Sequence, residues 1–379
     1  MKRQTNWWMF LGVLLLFIPE LAAQDRARNV ILFLGDAGGI PTVNAASIYG
    51  YNKPHRLFLH KMPHIALSET SSASQWVTDS AAGMTAIVTG HKTHNGVISQ
   101  SDAAVRRLKD GAPLKTILEY AEEQGLSTGV VSNSSAASAT PAACYAHVND
   151  RRKEGEIFAQ VLSPRFGDGI DVIIGAGHQK ILSEMRTLGL DPEAAIKGKG
   201  YTFGGSLETV PSESRRVVVL FDRGDFDLGA ATQRAIDVLS RNPKGFFLMV
   251  ESDVHTDNVI QGLERVVTFD RIIQQTAERM RSDTLILFTA DHSYDLRIHA
   301  GKKNEPLLSA PEKATATNGQ DSIRFANVRR DDDHTGEEVF VAAQGPGAQR
   351  VRGFLSNTDL FDIMMAAYGW TASASNGSQ

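Results

Sequence analysis

The chain has 379 residues, of which 42% are hydrophobic, with 33 Gly and 13 Pro; this composition suits a folded core and excludes a fibrous or disordered chain. Lys and Arg number 39 against 43 Asp and Glu, a net charge of −4, so no nucleic-acid-binding surface is evident. The single cysteine, Cys144, cannot form an intramolecular disulfide or a cysteine-based zinc cluster, so any metal site must use histidines and carboxylates.

The N-terminal segment has the pattern of a secretory signal peptide. Basic residues near the start precede an apolar run from Trp7 to Ile18, and the small residues Ala22 and Ala23 follow. This run is short for a bilayer span, so we expect cleavage of residues 1–23, a periplasmic or secreted protein, and no stable membrane span afterwards. An uncleaved anchor is the alternative, because Leu21 fits poorly three positions before that cleavage site.

Short, continuously apolar runs alternate with longer amphipathic runs along the rest of the chain. The apolar runs are predicted strands buried on both faces: Val30–Leu34, Val172–Ile174, Val217–Leu220, Phe246–Val250, Leu285–Phe288 and Val339–Val341. Helical spacing predicts helices over Val259–Met280 and Pro113–Gln124, and Ala300–Ser322 is predicted as a long excursion. We expect an α/β fold with a doubly wound, mostly parallel central sheet and helices on both faces.

Polar residues follow three of the predicted strands. Val30–Leu34 leads to Asp36, Phe246–Val250 leads to Glu251-Ser252-Asp253-Val254-His255, and Leu285–Phe288 leads to Asp291-His292. Because ligands gather outside the carboxyl ends of parallel strands, these groups are expected to converge at one edge. Imidazole with carboxylate suits Zn²⁺, whereas oxygen ligands alone suit Mg²⁺, so a carboxylate–imidazole metal centre is predicted.

The segment after Phe246–Val250 allows two arrangements. If it is extended, Glu251, Asp253 and His255 point to the same side and can serve two neighbouring ions. Asp257 shares that side, but we expect it to cap the helix that begins near Val259. In the rival arrangement the segment is helical, so Asp253 and Asp257 share one helix face and His255 is turned away.

Ser80 is the candidate nucleophile. The small residues that follow it favour a helix, and a helix N-terminus stabilises an alkoxide and a bound anion. An ordinary Ser N-cap is the alternative explanation of the same pattern. The chain lacks a G-x-S-x-G elbow, which excludes the α/β-hydrolase triad, so metal coordination is the expected means of activation.

Several motifs, taken in order, resemble those of the alkaline phosphatase family. The resemblance covers roughly residues 29–370, and its motifs are Gly35–Gly39, Thr78–Gly83, Thr89–Gly96, Ala139–Ala143 with His147, Val148 and Arg151, Thr289–His292, and His334–Gly336. It implies a single catalytic domain over residues 24–379, and because the chain is short for the family, we expect no large crown domain. It also implies hydrolysis of small phosphate monoesters, with a homodimer as a possible assembly.

The resemblance also implies roles for individual residues. Ser80 is implied as the nucleophile that forms a phosphoserine, and Arg151 as the group that holds two phosphoryl oxygens. Two zinc ions and one magnesium ion are implied. Their implied ligands are Asp36, Asp291 and His292 for one zinc; Asp253, His255 and His334 for the other; and Asp36, Thr140 and Glu251 for magnesium.

The chain departs from the family pattern at two places. Ser138 stands where the family usually has an acid or a histidine, which predicts a weak magnesium site. The gaps from Glu251 to Asp253 and on to His255 are shorter than in the family. The assignment of Asp253 and His255 as zinc ligands therefore depends on the expectation that they share one face of an extended strand.

The alternatives to a monoesterase are a phosphodiesterase of the same superfamily and an inactive metal- or phosphate-binding relative. A sulfatase is disfavoured because its signature is absent around Ser80.

Overall fold

The computed structural model describes residues 26–280, 282–308, 311–315, 321–331 and 333–371. The predicted signal peptide lies outside these residues, and so does part of the predicted excursion from Ala300 to Ser322. None of the described helices combines the length and the apolar character that a membrane crossing requires.

Strands and helices alternate along most of the chain. The strands are β1 (Asn29–Asp36), β2 (His64–Ser68), β3 (Ser127–Ser135), β4 (Val172–Ala176), β5 (Thr202–Gly204), β6 (Val217–Leu220), β7 (Phe246–Asp253), β8 (Thr284–Thr289), β9 (Ser293–Tyr294), β10 (Arg297–Ile298), β11 (Pro311–Thr315), β12 (Asp321–Phe325), β13 (Val328–Arg329), β14 (His334–Thr335), β15 (Val339–Gln344) and β16 (Gly353–Leu355). The helices are α1 (Ile40–Tyr51), α2 (Ser80–Thr89), α3 (Ile117–Glu123), α4 (Ala139–Tyr145), α5 (Glu154–Ala159), α6 (His178–Thr187), α7 (Pro192–Gly198), α8 (Leu228–Leu239), α9 (Val259–Arg279) and α10 (Asp359–Tyr368).

Ten strands form the central sheet, in the order β16-β2-β15-β8-β1-β7-β3-β4-β6-β5. All neighbouring pairs are parallel except the two that β15 makes with β2 and β8. A second, four-stranded sheet has the order β10-β13-β12-β11. The predicted α/β fold with a mostly parallel central sheet is therefore confirmed.

Apolar cores cover both faces of the sheet. Along β1, Val30, Leu32 and Leu34 belong to one core, whereas Ile31 and Phe33 belong to the other. The first core receives α2 to α7 and α10, and the second receives α1, α8 and α9. This explains why the strands are continuously apolar: alternate side chains enter opposite cores, and neither face meets water.

The helix predicted over Pro113–Gln124 begins later than expected, at Ile117. Thr116 and Glu119 form a capping box, in which each side chain accepts a hydrogen bond from the other residue's backbone N–H. Because this box fixes the first turn at Ile117, the preceding residues stay outside the helix. The predicted strand at Val339–Val341 is present but runs antiparallel to its neighbours.

Glu122, near the end of α3, is expected to make folding pH-dependent. Its carboxylate accepts hydrogen bonds from the Thr128 hydroxyl and, at 3.0 Å, from the Gly169 N–H. Burial, together with the charges of Asp171 and Asp168, raises the pKa of Glu122 from 4.5 to about 7. The folded protein therefore holds this proton more tightly than the unfolded chain does, so stability is lost as the pH rises from 4.5 towards 7.

We expect Glu122→Gln to raise the free energy of unfolding at pH 8, by an amount on the order of 3 kcal/mol, and to change it little near pH 4. The amide resembles the protonated acid, which carries no charge to desolvate. Urea unfolding of both proteins at the two pH values measures this. Glu123→Gln is the matched control, because Glu123 is exposed and pairs with Lys115. Destabilisation at pH 8 would contradict the prediction.

Candidate metal centre and nucleophile

The ends of three adjacent strands bring the predicted polar groups to one edge of the sheet. β8, β1 and β7 are neighbours, and their register places Asp36 opposite Asp253 and Leu34 opposite both Glu251 and Thr289. Asp291 and His292 follow β8 directly. The chain therefore delivers carboxylates and imidazoles from three separate segments to one place.

Asp36, Asp291 and His292 form a compact buried group. Each offers a ligand atom within 4.8 Å of the others. The Nε2 atom of His292 lies 3.3 Å from Asp36 Oδ1 and 3.6 Å from Asp291 Oδ2. Asp291 Oδ2 is buried without a hydrogen-bond partner, whereas Oδ1 accepts from the backbone N–H groups of Ala37 and His292. A buried carboxylate oxygen without a donor suits a bound cation.

The two aspartates of this group respond oppositely to the shared environment. Burial and the nearby charge of Asp36 raise the pKa of Asp291 to about 6. Burial alone would raise the pKa of Asp36 as well, but the hydrogen bond with His292 and the surrounding positive charges hold it well below its usual range. Two carboxylates crowded against one imidazole thus create a strongly negative, desolvated position that favours a cation.

Backbone acceptors orient two of the histidines. The Nδ1 atom of His292 lies 3.1 Å from the Ser293 carbonyl oxygen, and that of His334 lies 3.1 Å from the Thr78 carbonyl oxygen. A carbonyl only accepts, so in each neutral ring Nδ1 carries the proton and donates it. In that neutral form Nε2 is the nitrogen that can bind a metal, which is the usual arrangement of metal-ligating histidines.

His255, His292 and His334 form a second group of possible ligands, again within 4.8 Å of one another. Asp253 lies outside both groups, but its Oδ1 atom is 2.8 Å from His255 Nδ1. Burial would lower the pKa of His255, but the hydrogen bond with Asp253 and nearby negative charges outweigh it and raise that pKa to about 9. This pair faces the same edge as the first group, because His255 Nδ1 is 3.9 Å from Asp36 Oδ1.

Ser80 lies beside the first group. Its Oγ atom is 3.3 Å from His292 Nε2 and 3.5 Å from both carboxylate oxygens of Asp36. The residue is the first of α2, and the cap is Asp79, whose side chain accepts from the Ala82 N–H. The alternative that Ser80 is only an ordinary N-cap is therefore wrong.

Gly83 lets α2 approach the metal-binding edge closely. A Cβ atom at this position would lie 2.8 Å from the Asp291 carbonyl oxygen, closer than real contacts allow. Any larger residue would push the helix away from Asp291. Gly83 thus helps to set the distance between Ser80 and the carboxylates.

Arg151 reaches the same helix start. Its Nη1 atom donates to Asp79 Oδ2 at 3.1 Å, and the side chain as a whole retains 28% exposure. Its charge also acts on Asp36. One guanidinium nitrogen is therefore held by Asp79, while the side chain stays partly accessible to solvent.

Three buried side-chain oxygens near the start of α4 and the end of β7 lack hydrogen-bond partners. Thr140 Oγ1, Ser138 Oγ and Glu251 Oε1 are all buried without a hydrogen-bond partner. Glu251 Oε2 accepts from the Ser132 hydroxyl, and burial with the charge of Asp36 raises the pKa of Glu251 well above its usual range. Oxygen ligands without nitrogen fit a hard cation such as Mg²⁺.

The helix after β7 is capped by Asn258, whose side chain accepts from the Gln261 N–H. The prediction that Asp257 is the cap is therefore wrong by one residue. Asp257 is exposed and belongs to neither group of possible ligands. Asn and Asp are similarly good caps, so the sequence pattern could not decide between the two.

Sequence patterns did not indicate two supporting residues. Arg265 on α9 donates to the backbone oxygen of Asp253 at 3.1 Å and to its Oδ2 at 3.2 Å. Asn133, at the end of β3, accepts from the Asp253 N–H at 2.7 Å. Neither lies in a recognisable motif, because each reaches Asp253 only through the packing of the sheet.

Comparison with known proteins gives a consistent result. The family described as Alkaline phosphatase matches residues 27–200 and 223–328. Alkaline phosphatase 4 of Bacillus subtilis is 30% identical over 421 residues, covering 90% of this chain and 89% of that protein. The Escherichia coli alkaline phosphatase is 30% identical over 436 residues, covering 93% and 88%.

A solved structure agrees with these relatives. A variant of the alkaline phosphatase from the Antarctic bacterium TAB5, with Mg bound in its M3 site, is 26% identical to this chain. The match has a TM-score of 0.74 and covers 92% of this chain and 99% of that chain. Similar length and fold thus accompany the sequence similarity.

Proposed function

Because the chain belongs to the alkaline phosphatase family and is a phosphoric monoester hydrolase, we propose that it acts through a phosphoserine on Ser80 at a site for two zinc ions and one magnesium ion. The observation that carries this proposal is the position of Ser80 Oγ, 3.3 Å from His292 Nε2 and 3.5 Å from Asp36. A hydroxyl at that distance from a ligand group can share its cation.

The ligand assignment follows from the two groups and the buried oxygens. We propose that Asp36, Asp291 and His292 hold the zinc beside Ser80, and that Asp253, His255 and His334 hold the other. When bound, the two ions supply positive charge that lowers the pKa of the attacking oxygen and stabilises the leaving oxygen. Three protein ligands for each ion leave a position open, as catalytic zinc sites require.

The chain's own residues account for substrate placement. Arg151 binds two phosphoryl oxygens through its guanidinium, and the first turn of α2 directs its N–H groups and dipole towards the same anion. Asp79 holds Arg151 and the first turn of α2 in place relative to each other, because it caps the helix and also accepts a hydrogen bond from Arg151. Ser80 Oγ then attacks phosphorus while the bond to the leaving alcohol breaks, and water later hydrolyses the phosphoserine.

Magnesium is proposed to bind to Asp36, Thr140 and Glu251. The unpaired buried oxygens of Thr140 and Glu251 support this assignment. Ser138, the N-cap residue of α4, contributes a neutral oxygen, so the site has one charge fewer than an acidic residue would give. We therefore propose that magnesium binds weakly.

From the sequence we also propose that the signal peptide is cleaved, that the protein is exported, and that residues 24–379 form one catalytic domain.

Removal of metal is expected to abolish activity. After treatment with a chelator, Zn²⁺ should restore hydrolysis of an aryl phosphate monoester, whereas Mg²⁺ alone should not, because the histidines in both groups favour zinc. Metal analysis of the purified protein, with a monoester and a diester assayed side by side, is the direct measurement. Full recovery with Mg²⁺ alone would contradict the zinc assignment. Faster hydrolysis of the diester than of the monoester would favour the phosphodiesterase alternative. Phosphate binding without turnover would favour an inactive relative.

A further inference from the structure

Three arginines surround one buried carboxylate near Arg151. Asp150 is only 5% exposed. Its Oδ1 atom accepts from Arg106 Nε at 3.2 Å and Nη2 at 3.1 Å, and its Oδ2 atom accepts from Arg107 Nε at 2.9 Å. Arg152 Nη2 approaches Oδ2 at 3.4 Å. One negative charge is therefore set against three positive charges. We call Arg106, Arg107 and Arg152 the arginine rim.

The arginine rim is joined to the proposed phosphate site through Gly96. Gly96 has φ of +82°, and a Cβ atom there would overlap the Arg106 guanidinium, so Arg106 packs directly on this glycine. The Gly96 N–H donates to Asp79 Oδ1 at 3.0 Å, and its carbonyl accepts from the Arg151 N–H at 2.8 Å. Arg106 and Arg151 thus flank the same residue.

The charges of this region do not cancel. Arg151 pairs with Asp79 and the arginine rim pairs with Asp150, so four guanidinium groups face two carboxylates. The side chains of Arg107 and Arg152 remain 52% and 61% exposed. Within the described part of the chain, the Nη1 and Nη2 groups of Arg107 have no protein acceptor. Donors remain available for an external anion.

Arg107, a member of the arginine rim, has an unfavourable backbone conformation. Arg107 has φ of +65°, a left-handed conformation that non-glycine residues rarely adopt. The turn around it is closed by backbone hydrogen bonds between Val105 and Lys109, each at 2.9 Å. Strained backbone of this kind is held in place by its surroundings and is typical of ligand-binding sites.

We propose that the arginine rim is a second anion-binding subsite, which favours phosphate monoesters whose leaving group carries a further phosphate. This inference rests on the proposed function, because it takes Arg151 as the group that holds the phosphate to be cleaved. The second phosphate of a sugar bisphosphate is the kind of anion that paired guanidinium donors recognise. Arg107 and Arg152 determine this specificity, while Asp150 positions them.

The test compares glucose 6-phosphate with glucose 1,6-bisphosphate. Calorimetry on Ser80→Ala, which holds substrate without cleaving it, should show that the bisphosphate binds about tenfold more tightly. Adding Arg107→Gln and Arg152→Gln should reduce this preference to about the twofold factor expected for two equivalent phosphates. Asp150 keeps both bonds from Arg106 in this variant, so the loop retains its anchor. The preference should also fall at high salt.

Arg186→Gln is the control, because Arg186 lies near the end of α6 and hence towards the opposite edge of the sheet. It should leave the preference unchanged. Equal affinity for the two sugars, or the same loss in the control, would overturn the subsite. Failure of the unsubstituted, zinc-loaded protein to release phosphate from glucose 6-phosphate would instead overturn the proposed function. The binding comparison, which needs no turnover, would still decide the role of the arginine rim.

Discussion

Ser80→Ala is expected to lower the turnover of a phosphate monoester by at least about a hundredfold while the metals remain bound. The side chain is the only hydroxyl in the described structure that contacts both Asp36 and His292. Removing it takes away the proposed nucleophilic oxygen but none of the proposed ligands. The turnover number and the metal content of the purified variant are the two quantities to measure.

Folding of the Ser80→Ala variant is expected to be nearly unchanged. Asp79, not Ser80, caps α2, so the variant keeps the cap, whose loss would cost about 1 kcal/mol. Ser183→Ala is a suitable control, since Ser183 lies on α6 with an exposed side chain that donates to the Lys180 carbonyl oxygen. Turnover near that of the unsubstituted protein would show that Ser80 is not the nucleophile.

The sequence was most informative where chemistry follows directly after a strand. The apolar run Val30–Leu34 predicts β1, and the position of Asp36 two residues later places it at the carboxyl edge. The same reasoning applies to β8 and the pair Asp291 and His292. The alternation of side chains along a strand and the direction of the strand are local properties. Both can therefore be predicted without knowing which strands are neighbours in the sheet.

Residues that act through tertiary packing could not be predicted in this way. Arg265 contacts Asp253 from the second turn of α9, and nothing in its neighbouring sequence distinguishes it from the other arginines of that helix. The role of Asp79 left a weak signal, because Asp is a preferred N-cap. The pairing of Asp79 with Arg151 joins residues far apart in sequence and appears only in the folded chain.

For the segment from Glu251 to Asn258, the structure distinguishes between the two arrangements that the sequence allows. The structure places Glu251 and Asp253 on β7, and His255 lies between the end of the strand and the start of α9. The extended arrangement therefore describes the first part of the segment, and the rival helical spacing of Asp253 and Asp257 does not. With His255 Nδ1 at 2.8 Å from Asp253 Oδ1, the short spacing still brings both side chains to one position.

Asp253→Ala and His255→Ala are each expected to remove about one equivalent of zinc and most of the activity, because an ion left with two protein ligands competes poorly with water. Asp253→Asn separates ligation from support. Its amide oxygen can replace Oδ1 and accept from the His255 backbone N–H, while Arg265 keeps its bond to the backbone oxygen of residue 253. The amide is a much weaker zinc ligand than a carboxylate, however, so this variant should also lose zinc.

Asp257→Ala provides the matched control, two residues beyond His255. Asp257 is exposed, and Asn258 caps α9, so the substitution should leave both zinc content and stability nearly unchanged. Zinc loss in Asp257→Ala with a silent His255→Ala would restore the rival assignment. If Asp253→Asn kept its zinc while His255→Ala lost it, Asp253 would position the His255 ring instead of binding the ion. Zinc content of the four variants therefore assigns each side chain of this segment a separate role.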